Sequence, residues 1–227
     1  MVVREVSKFV SGFAKEEGGG GDPSPWTALG VFLAMKAACK KRYGSEDLSG
    51  RAVAVQGVGH VGQYLVEHLA RAGAVVTVAD PHPGNVSAAV DRFGVKAVDV
   101  DAIYDVPCEI FSPKAIGQTV NARTIPRLKA EIICGAANNQ LIDESVYPLI
   151  TERKLLYCPD FAVNAGGIIC CAGEYQPGGW SEAWVTSMVE RIYDTTLRVI
   201  ERSEETGAFP ETVAVELAKE RIASKSR

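Results

Sequence analysis

The chain has 227 residues, of which 47% are hydrophobic and 23% are charged, and its formal net charge is −4 at pH 7. This length suits one large domain or one and a half domains of ordinary size. The mildly negative net charge argues against a nucleic-acid partner, and no apolar run is long enough to cross a membrane. The N-terminal segment lacks the apolar core of a signal peptide, so we expect a cytoplasmic protein.

Six cysteines, two of them adjacent at Cys170 and Cys171, show no CxxC pair and no spacing typical of a metal site. Several lie in apolar runs, which is typical of reduced core residues in a cytoplasmic protein. A reactive vicinal dithiol at the adjacent pair is the alternative interpretation. The sequence predicts no metal centre.

Residues 1–23 are predicted to form a short helix followed by a hinge. Apolar residues from Val2 to Val10 share one helical face. The run Gly18–Gly21 is too costly in backbone entropy for regular structure, which favours a linker or hinge between domains. A plain surface loop is the alternative.

The chain then alternates helical patterns with short apolar runs. Ser24 and Pro25 are predicted to begin a helix as N-cap and first residue, and Gly44 to end it. Strands that recur at helical spacing and are buried on both faces predict a doubly wound parallel α/β sheet. We place this sheet in residues 24–180 and predict two C-terminal helices in residues 181–227.

One glycine turn carries a specific signature within this alternation. The motif Gly57-x-Gly59-x-x-Gly62 follows the apolar run Ala52–Val55 and leads into a helical pattern, and Asp80 closes the next apolar run. Strand, glycine turn, helix, strand and terminal acid together predict a Rossmann-type dinucleotide-binding domain. The first glycine permits a tight turn, the second lets a pyrophosphate approach the backbone, and the third lets the helix pack closely.

The ligand of this turn is predicted to be NAD. The positive end of the helix dipole favours a pyrophosphate on the backbone of the turn, at Gly57, Val58, Gly59, His60, Val61 and Gly62. Asp80 is expected to accept both ribose hydroxyls of the adenosine. A 2′-phosphate there would face a carboxylate, and Pro81 and His82 provide no arginine to receive it. A turn without ligand, or another adenosine ligand, is the alternative.

Three further segments leave predicted strand ends with polar or glycine-rich sequence: SPKAIG, GAANNQ and NAGG. In doubly wound sheets, ligands bind beyond the carboxyl ends of the strands. We therefore expect these segments to converge on the same crevice as the glycine turn.

Six blocks in order, GDPSPWTALG, VAVQGVGHVG, TVAD, FSPKAIG, GAANNQL and PDFAVNAGG, extend this pattern over nearly the whole chain. They resemble the cofactor domain of the Glu/Leu/Phe/Val amino-acid dehydrogenases, and most of all the leucine, phenylalanine and tryptophan members. The resemblance implies NAD-dependent oxidative deamination of an apolar or aromatic L-amino acid to the 2-oxo acid.

The resemblance also implies individual site residues. Thr27 matches the threonine that hydrogen-bonds the nicotinamide carboxamide. Ala115 and Ile116 match the segment that passes along the nicotinamide, which usually reads Cys-Ala-Leu in the family. Lys114 departs from that pattern, so it is expected to be either a solvated side chain or a cofactor contact. Thr27 as a plain surface hydroxyl is the alternative.

Two asparagines complete the implied site. Asn138, preceded by Ala137, matches the asparagine beside the nicotinamide. Asn164 matches the residue that touches the substrate and orients the nicotinamide. Ordinary turn or N-cap roles are the alternative for both asparagines. His60 is expected to be an exposed residue whose backbone N–H matters.

The catalytic lysines and aspartate implied by the resemblance belong to a preceding domain without a counterpart here, so no catalytic residue is assigned. The first hypothesis is therefore the NAD-binding part of an amino-acid dehydrogenase, which needs a separate catalytic domain or a homo-oligomer. The alternative is a non-catalytic nucleotide-binding or regulatory module that docks on a partner. A natural split subunit and a truncated gene product both stay open, as does the choice of amino acid.

Overall fold

The computed structural model describes residues 10–225. The helix predicted between Val2 and Val10 therefore lies almost wholly outside the described residues. The α-helices are α1 (Ser24–Tyr43), α2 (His60–Arg71), α3 (Pro83–Phe93), α4 (Tyr147–Glu152), α5 (Asp160–Val163), α6 (Gly166–Ala172), α7 (Glu182–Thr206) and α8 (Pro210–Lys225). The strands are β1 (Ala52–Gln56), β2 (Val75–Ala79), β3 (Lys96–Ala97), β4 (Ile110–Pro113), β5 (Ile132–Ile133) and β6 (Leu156–Tyr157).

These six strands form one sheet in the order β3-β2-β1-β4-β5-β6, and every pair in it is parallel. The predicted doubly wound α/β fold is confirmed. Strand β1 pairs with β2 on one side and with β4 on the other, so the chain reverses its winding direction between β1 and β4. That reversal opens a crevice at the carboxyl ends of these two strands, where such folds bind ligands.

Both faces of the sheet are covered, as continuous apolar strands require. In β1, Val53 and Val55 enter the core on one face, whereas Ala54 enters the core on the other. In the next strand of the sheet, Ile110 and Phe111 divide between the faces in the same way. The alternation of side chains along a strand therefore builds two separate cores from a single apolar run.

Helix α1 lies at the centre of the first core and packs against α2, α6 and α7. A Cβ atom at Gly30 would lie 2.7 Å from Ile192 Cδ1 and 2.9 Å from Val163 O, so only glycine permits this approach. Gly44 ends the helix in the left-handed conformation at φ 77°, as predicted.

The predicted N-cap of α1 is wrong by one residue. Pro23 occupies the N-cap position, and Ser24 is already helical. The Asp22 carboxylate accepts a hydrogen bond from the Ser24 N–H at 2.9 Å. An aspartate that bonds the backbone two residues ahead satisfies a free donor of the first turn, so the serine hydroxyl is not needed as a cap.

The glycine run at Gly18–Gly21 is packed against the domain. Gly19 and Gly20 are buried, and a Cβ atom at Gly20 would lie 2.6 Å from the indole nitrogen of Trp180. The Glu174 carboxylate fastens this segment because it accepts hydrogen bonds from three backbone N–H groups. These come from Gly12 at 2.8 Å, Phe13 at 3.0 Å and Gly20 at 3.1 Å.

The C-terminal helix α7 inserts Val185, Val189 and Ile192 into the first core. The predicted division of the chain at residues 23 and 180 stays a prediction. No helix among residues 10–225 is long and apolar enough to cross a membrane.

Replacing Glu174 with Ala is expected to loosen residues 12–20 while the sheet stays intact. The substitution removes the acceptor of three backbone bonds, and bonds to a charged acceptor are the stronger kind. Hydrogen exchange should show faster exchange at Gly12, Phe13 and Gly20, with unchanged protection in β1 and β4. The exposed Glu216→Ala serves as control. Unchanged exchange at these three amides in the Glu174 variant would show that the carboxylate does not hold the segment.

Candidate cofactor site

The three glycines of the turn have different structural roles. Gly57 has φ +99°, and a Cβ atom there would lie 2.9 Å from the backbone nitrogen of Ala115. A Cβ atom at Gly62 would collide with the carbonyl oxygen of Gly57. At Gly59, by contrast, an added Cβ atom would meet nothing within 4 Å. Gly57 and Gly62 are therefore required by the protein's own packing, whereas Gly59 leaves an open space beside the backbone.

That open space lies at the start of α2, for which Gly59 is the N-cap residue. The helical ladder begins with the bond from Gln63 N–H to Gly59 O at 2.9 Å. The N–H groups of His60, Val61 and Gly62 precede this bond and have no acceptor within the helix. Together with the helix dipole, they form a place where a phosphate can bind.

Asp80 shapes the turn from the end of β2. One carboxylate oxygen accepts a hydrogen bond from the Val58 N–H at 2.8 Å. The other accepts from the His82 N–H at 2.8 Å and from Asn85 Nδ2 at 3.2 Å. The oxygen bonded to Val58, Oδ2, has a lone pair left that could accept from a ribose hydroxyl, whereas Oδ1 already accepts two bonds. The sequence suggested only the ligand role of Asp80.

Gln63 supports the same turn. Its side-chain Nε2 donates hydrogen bonds to Val58 O at 2.9 Å and to Asn85 O at 2.8 Å. The sequence argument missed this residue as well as Asn85. Their only signal is a position in the first turn of the helix that follows a predicted site strand.

The segment after β4 runs beside the glycine turn. The Lys114 N–H donates to Gln56 O at 2.8 Å, and Ala115 then packs against Gly57. Ile116 is 72% exposed at the mouth of the crevice. One residue farther on, a Cβ atom at Gly117 would lie 2.6 Å from Asn138 O, so this segment also touches the segment that follows β5.

The two predicted asparagines contact each other directly. Asn164 Nδ2 donates to Asn138 Oδ1 at 2.8 Å and to Ala136 O at 3.1 Å. Asn138 is exposed, and its neighbour Ala137 is held by an N–H bond to Pro113 O at 3.0 Å. Asn164 lies at the C-terminal end of α5 and not at an N-cap. Both amides therefore belong to one hydrogen-bonded unit.

Thr27 lies at the start of α1, against the segment that contains Asn164. Its hydroxyl donates to Pro23 O at 3.2 Å. A Cβ atom at Gly167 would lie 2.6 Å from this hydroxyl oxygen, so glycine lets the two segments meet. The structure thus brings Thr27, Asn164 and Asn138 to one region, next to the segment that passes the glycine turn.

Lys114 differs from one of its two sequence expectations, the solvated side chain. The residue is half-buried, but its Nζ atom is inaccessible to solvent and has no hydrogen-bond partner among the described residues. It is therefore not a solvated side chain, and the alternative of a cofactor contact stays a prediction. Burial lowers its pKa to about 7, while the nearby Cys134 thiol acts in the opposite direction. Strand patterns cannot show this, because the side chain turns into the core at a strand end.

Comparison with known proteins gives consistent matches. Residues 18–90 and 84–227 match the family model described as Glutamate/Leucine/Phenylalanine/Valine dehydrogenase. A leucine dehydrogenase of Bacillus cereus is 44% identical over 223 residues, which are 98% of this chain and 60% of that protein. The chain therefore spans less than two thirds of that curated relative.

Solved structures agree on the fold. The crystal structure of L-tryptophan dehydrogenase from Nostoc punctiforme superposes with a TM-score of 0.85 at 40% identity, over 89% of this chain and 61% of that one. The hetero-hexameric glutamate dehydrogenase of Thermus thermophilus gives a TM-score of 0.73 at 24% identity, over 93% of this chain and 55% of that one. At this lower identity, the likeness establishes the fold alone.

Replacing Lys114 with Met, which has similar length and no charge, is expected to stabilise the chain at low pH. The folded-state pKa of about 7 lies below the roughly 10.4 of an unfolded lysine. Between these values the unfolded chain binds more protons. The free energy of unfolding therefore falls as the pH drops from about 10 to 7, and the loss is complete below that window.

We expect the Met variant to gain on the order of 4 kcal/mol at pH 6 and about 1 kcal/mol at pH 10. Urea denaturation at both pH values measures the difference. Lys219→Met, at an exposed position of α8, serves as control and should change little. A Met variant no more stable than the unmodified chain at pH 6 would contradict the burial of the amine.

Proposed function

Because the chain belongs to the Glutamate/Leucine/Phenylalanine/Valine dehydrogenase family, we propose that it binds NAD and serves the oxidative deamination of an L-amino acid. The observation that supports this most directly is the convergence of the glycine turn, Thr27, Asn138 and Asn164 on one end of the sheet. Three segments that follow strands, together with the start of α1, place polar groups there that suit the parts of a dinucleotide.

The residues present fit NAD at its phosphate and adenosine ends. Gly59 leaves room for a pyrophosphate, which His60, Val61 and Gly62 would hold through their backbone N–H groups. Asp80 would accept a ribose hydroxyl with the remaining lone pair of its Oδ2 atom. Because a carboxylate repels the 2′-phosphate of NADP, the site favours NAD.

The nicotinamide end would use the remaining hydrogen-bonding capacity of three side chains. Both Nδ2 hydrogens of Asn164 are already donated, so its Oδ1 is the atom that can accept from a ligand. Asn138 accepts with its Oδ1, so its Nδ2 can donate. The Thr27 hydroxyl donates to Pro23 O, so its oxygen can accept from a carboxamide. Ala115 and Ile116 would line this end, while Ala137 positions Asn138.

When bound, NAD supplies the hydride acceptor for the Cα–H bond of the amino acid. This chain's contribution is to hold and orient that acceptor and, through Asn164, to form one wall of the substrate cleft. The subsequent water attack on the imine needs a general base, for which the sequence nominated no residue here. We therefore propose that deamination takes place in an assembly that includes groups beyond those described.

The substrate class is proposed from the relatives. Proteins named leucine, L-tryptophan and valine dehydrogenase are 44%, 39% and 39% identical to this chain. They support an apolar or aromatic L-amino acid as the substrate of the complete enzyme.

Isothermal titration calorimetry on the chain tests the proposed cofactor. We expect NAD to bind at least about tenfold more tightly than NADP, because the additional phosphate would lie against the Asp80 carboxylate. Absence of NAD binding up to millimolar concentration would refute the proposed function. Equal affinity for the two nucleotides would refute the placement of the ribose at Asp80.

Gly59→Ala separates binding from folding. An added methyl group meets no protein atom within 4 Å, and the backbone φ of −69° suits alanine, so thermal stability should stay unchanged. The same methyl group would occupy the space of the pyrophosphate, so NAD affinity should fall on the order of 100-fold.

Gly84→Ala in the first turn of α3 is the matched control, since its added methyl group also meets nothing within 4 Å. It should keep full NAD affinity. Equal affinity in the two variants would show that the pyrophosphate does not bind over Gly59.

A further inference from the structure

Lys114 occupies the point at which the sheet reverses its winding. Its N–H donates to Gln56 O at 2.8 Å, and Gln56 is the last residue of β1. The preceding residue, Pro113, is the last residue of β4. Lys114 therefore joins the carboxyl ends of the two strands between which the ligand crevice opens, and the next residue, Ala115, packs on Gly57.

The side chain of Lys114 is directed inward, since its Nζ atom is inaccessible to solvent. Its amine is close enough to Cys134 for an electrostatic interaction between the two groups, which acts to raise the pKa of Lys114. Cys134 follows β5 and donates through its Sγ to Val31 O at 3.9 Å. Val31 lies one helical turn beyond Thr27 in α1. The Nζ atom is thus located among the elements that carry Thr27, the glycine turn and Asn138.

When it is protonated, the Lys114 amine carries a charge that has no hydrogen-bonding partner within the described residues. Its Nζ atom is buried and makes no hydrogen bond within the described residues. Cys134 is the titratable neighbour that affects the pKa of this amine, and it acts against the effect of burial. Behind Cys134 lie Cys158 and Cys39, whose thiol pKa values are raised by burial and by their neighbours, so both are neutral near pH 7. A proton taken up at Lys114 therefore changes the local potential without a compensating counter-ion.

We propose that Lys114 is a positioning residue that acts electrostatically. Its ammonium form weakens the binding of NAD, whose nicotinamide is cationic, relative to the binding of NADH, whose nicotinamide is neutral. This inference rests on the proposed function, since it requires the nicotinamide to lie near Thr27 and Asn138. The amine contacts neither ring directly. It acts through the field of its charge, which is screened less at a buried position than in water.

The sign of the effect follows from charge alone. Below the pKa of about 7, Lys114 carries a positive charge that repels oxidised nicotinamide and leaves reduced nicotinamide unaffected. Above it, the repulsion disappears. Binding of NAD therefore favours loss of the Lys114 proton, and acid conditions favour NADH in the site.

The test compares the affinities of this chain for NAD and NADH at pH 6 and pH 9. Calorimetry measures both, and the fluorescence of NADH gives a second value. We expect the ratio of the NAD dissociation constant to the NADH dissociation constant to be about tenfold higher at pH 6. Taking the ratio cancels groups that act equally on both forms, such as those that bind the shared phosphates.

Two variants test whether Lys114 causes this pH dependence. Lys114→Met should make the ratio independent of pH at the value of the unmodified chain at pH 9. Lys219→Met, which removes a distant exposed ammonium, should behave like the unmodified chain. A pH-dependent ratio that persists in Lys114→Met would overturn the proposal.

A third readout needs no variant. Calorimetry at pH 7 in two buffers of different ionisation enthalpy should show that a fraction of a proton is released on NAD binding and less on NADH binding. Equal proton release, or a ratio that does not change with pH, would overturn the proposal while leaving the proposed function intact. If neither nucleotide binds at any pH, the proposed function fails, and this inference fails with it.

Discussion

The parallel pairing of β1 with both β2 and β4 is the constraint on which the rest of the structure depends. It places the carboxyl ends of three strands side by side, so that the segments leaving them have to share one crevice. Gly57 can make the turn there only because it has no side chain to meet Ala115. Asp80, at the end of β2, then closes the arrangement by accepting the Val58 N–H. The strand order brings the segments of the site together, and the individual side chains then complete it.

Much of this arrangement could be predicted from the sequence because it is recorded in local patterns. Gly57, Gly59, Gly62 and Asp80 stand at spacings that only a strand–turn–helix–strand unit satisfies. Parallel strands buried on both faces give continuous apolar runs, which identified the sheet.

What could not be predicted depends on contacts between distant residues. Glu174 follows Gly20 by 154 positions, and nothing near either residue indicates that the carboxylate holds the glycine run. Lys114 follows a strand that reads as apolar, yet its amine is buried beside Cys134. An unpartnered buried amine destabilises a fold. Its place behind a ligand crevice gives a physical reason why such a cost could be retained.

The central claim is that a dinucleotide crosses the crevice between β1 and β4, with its pyrophosphate over Gly59 and its nicotinamide beside Thr27, Asn138 and Asn164. A crystal structure of the chain with NAD tests this most directly. The account predicts phosphate oxygens within hydrogen-bonding distance of the N–H groups at the start of α2, and ribose hydroxyls on Asp80. Density for NAD at any other surface, or an empty crevice at saturating NAD, would contradict it.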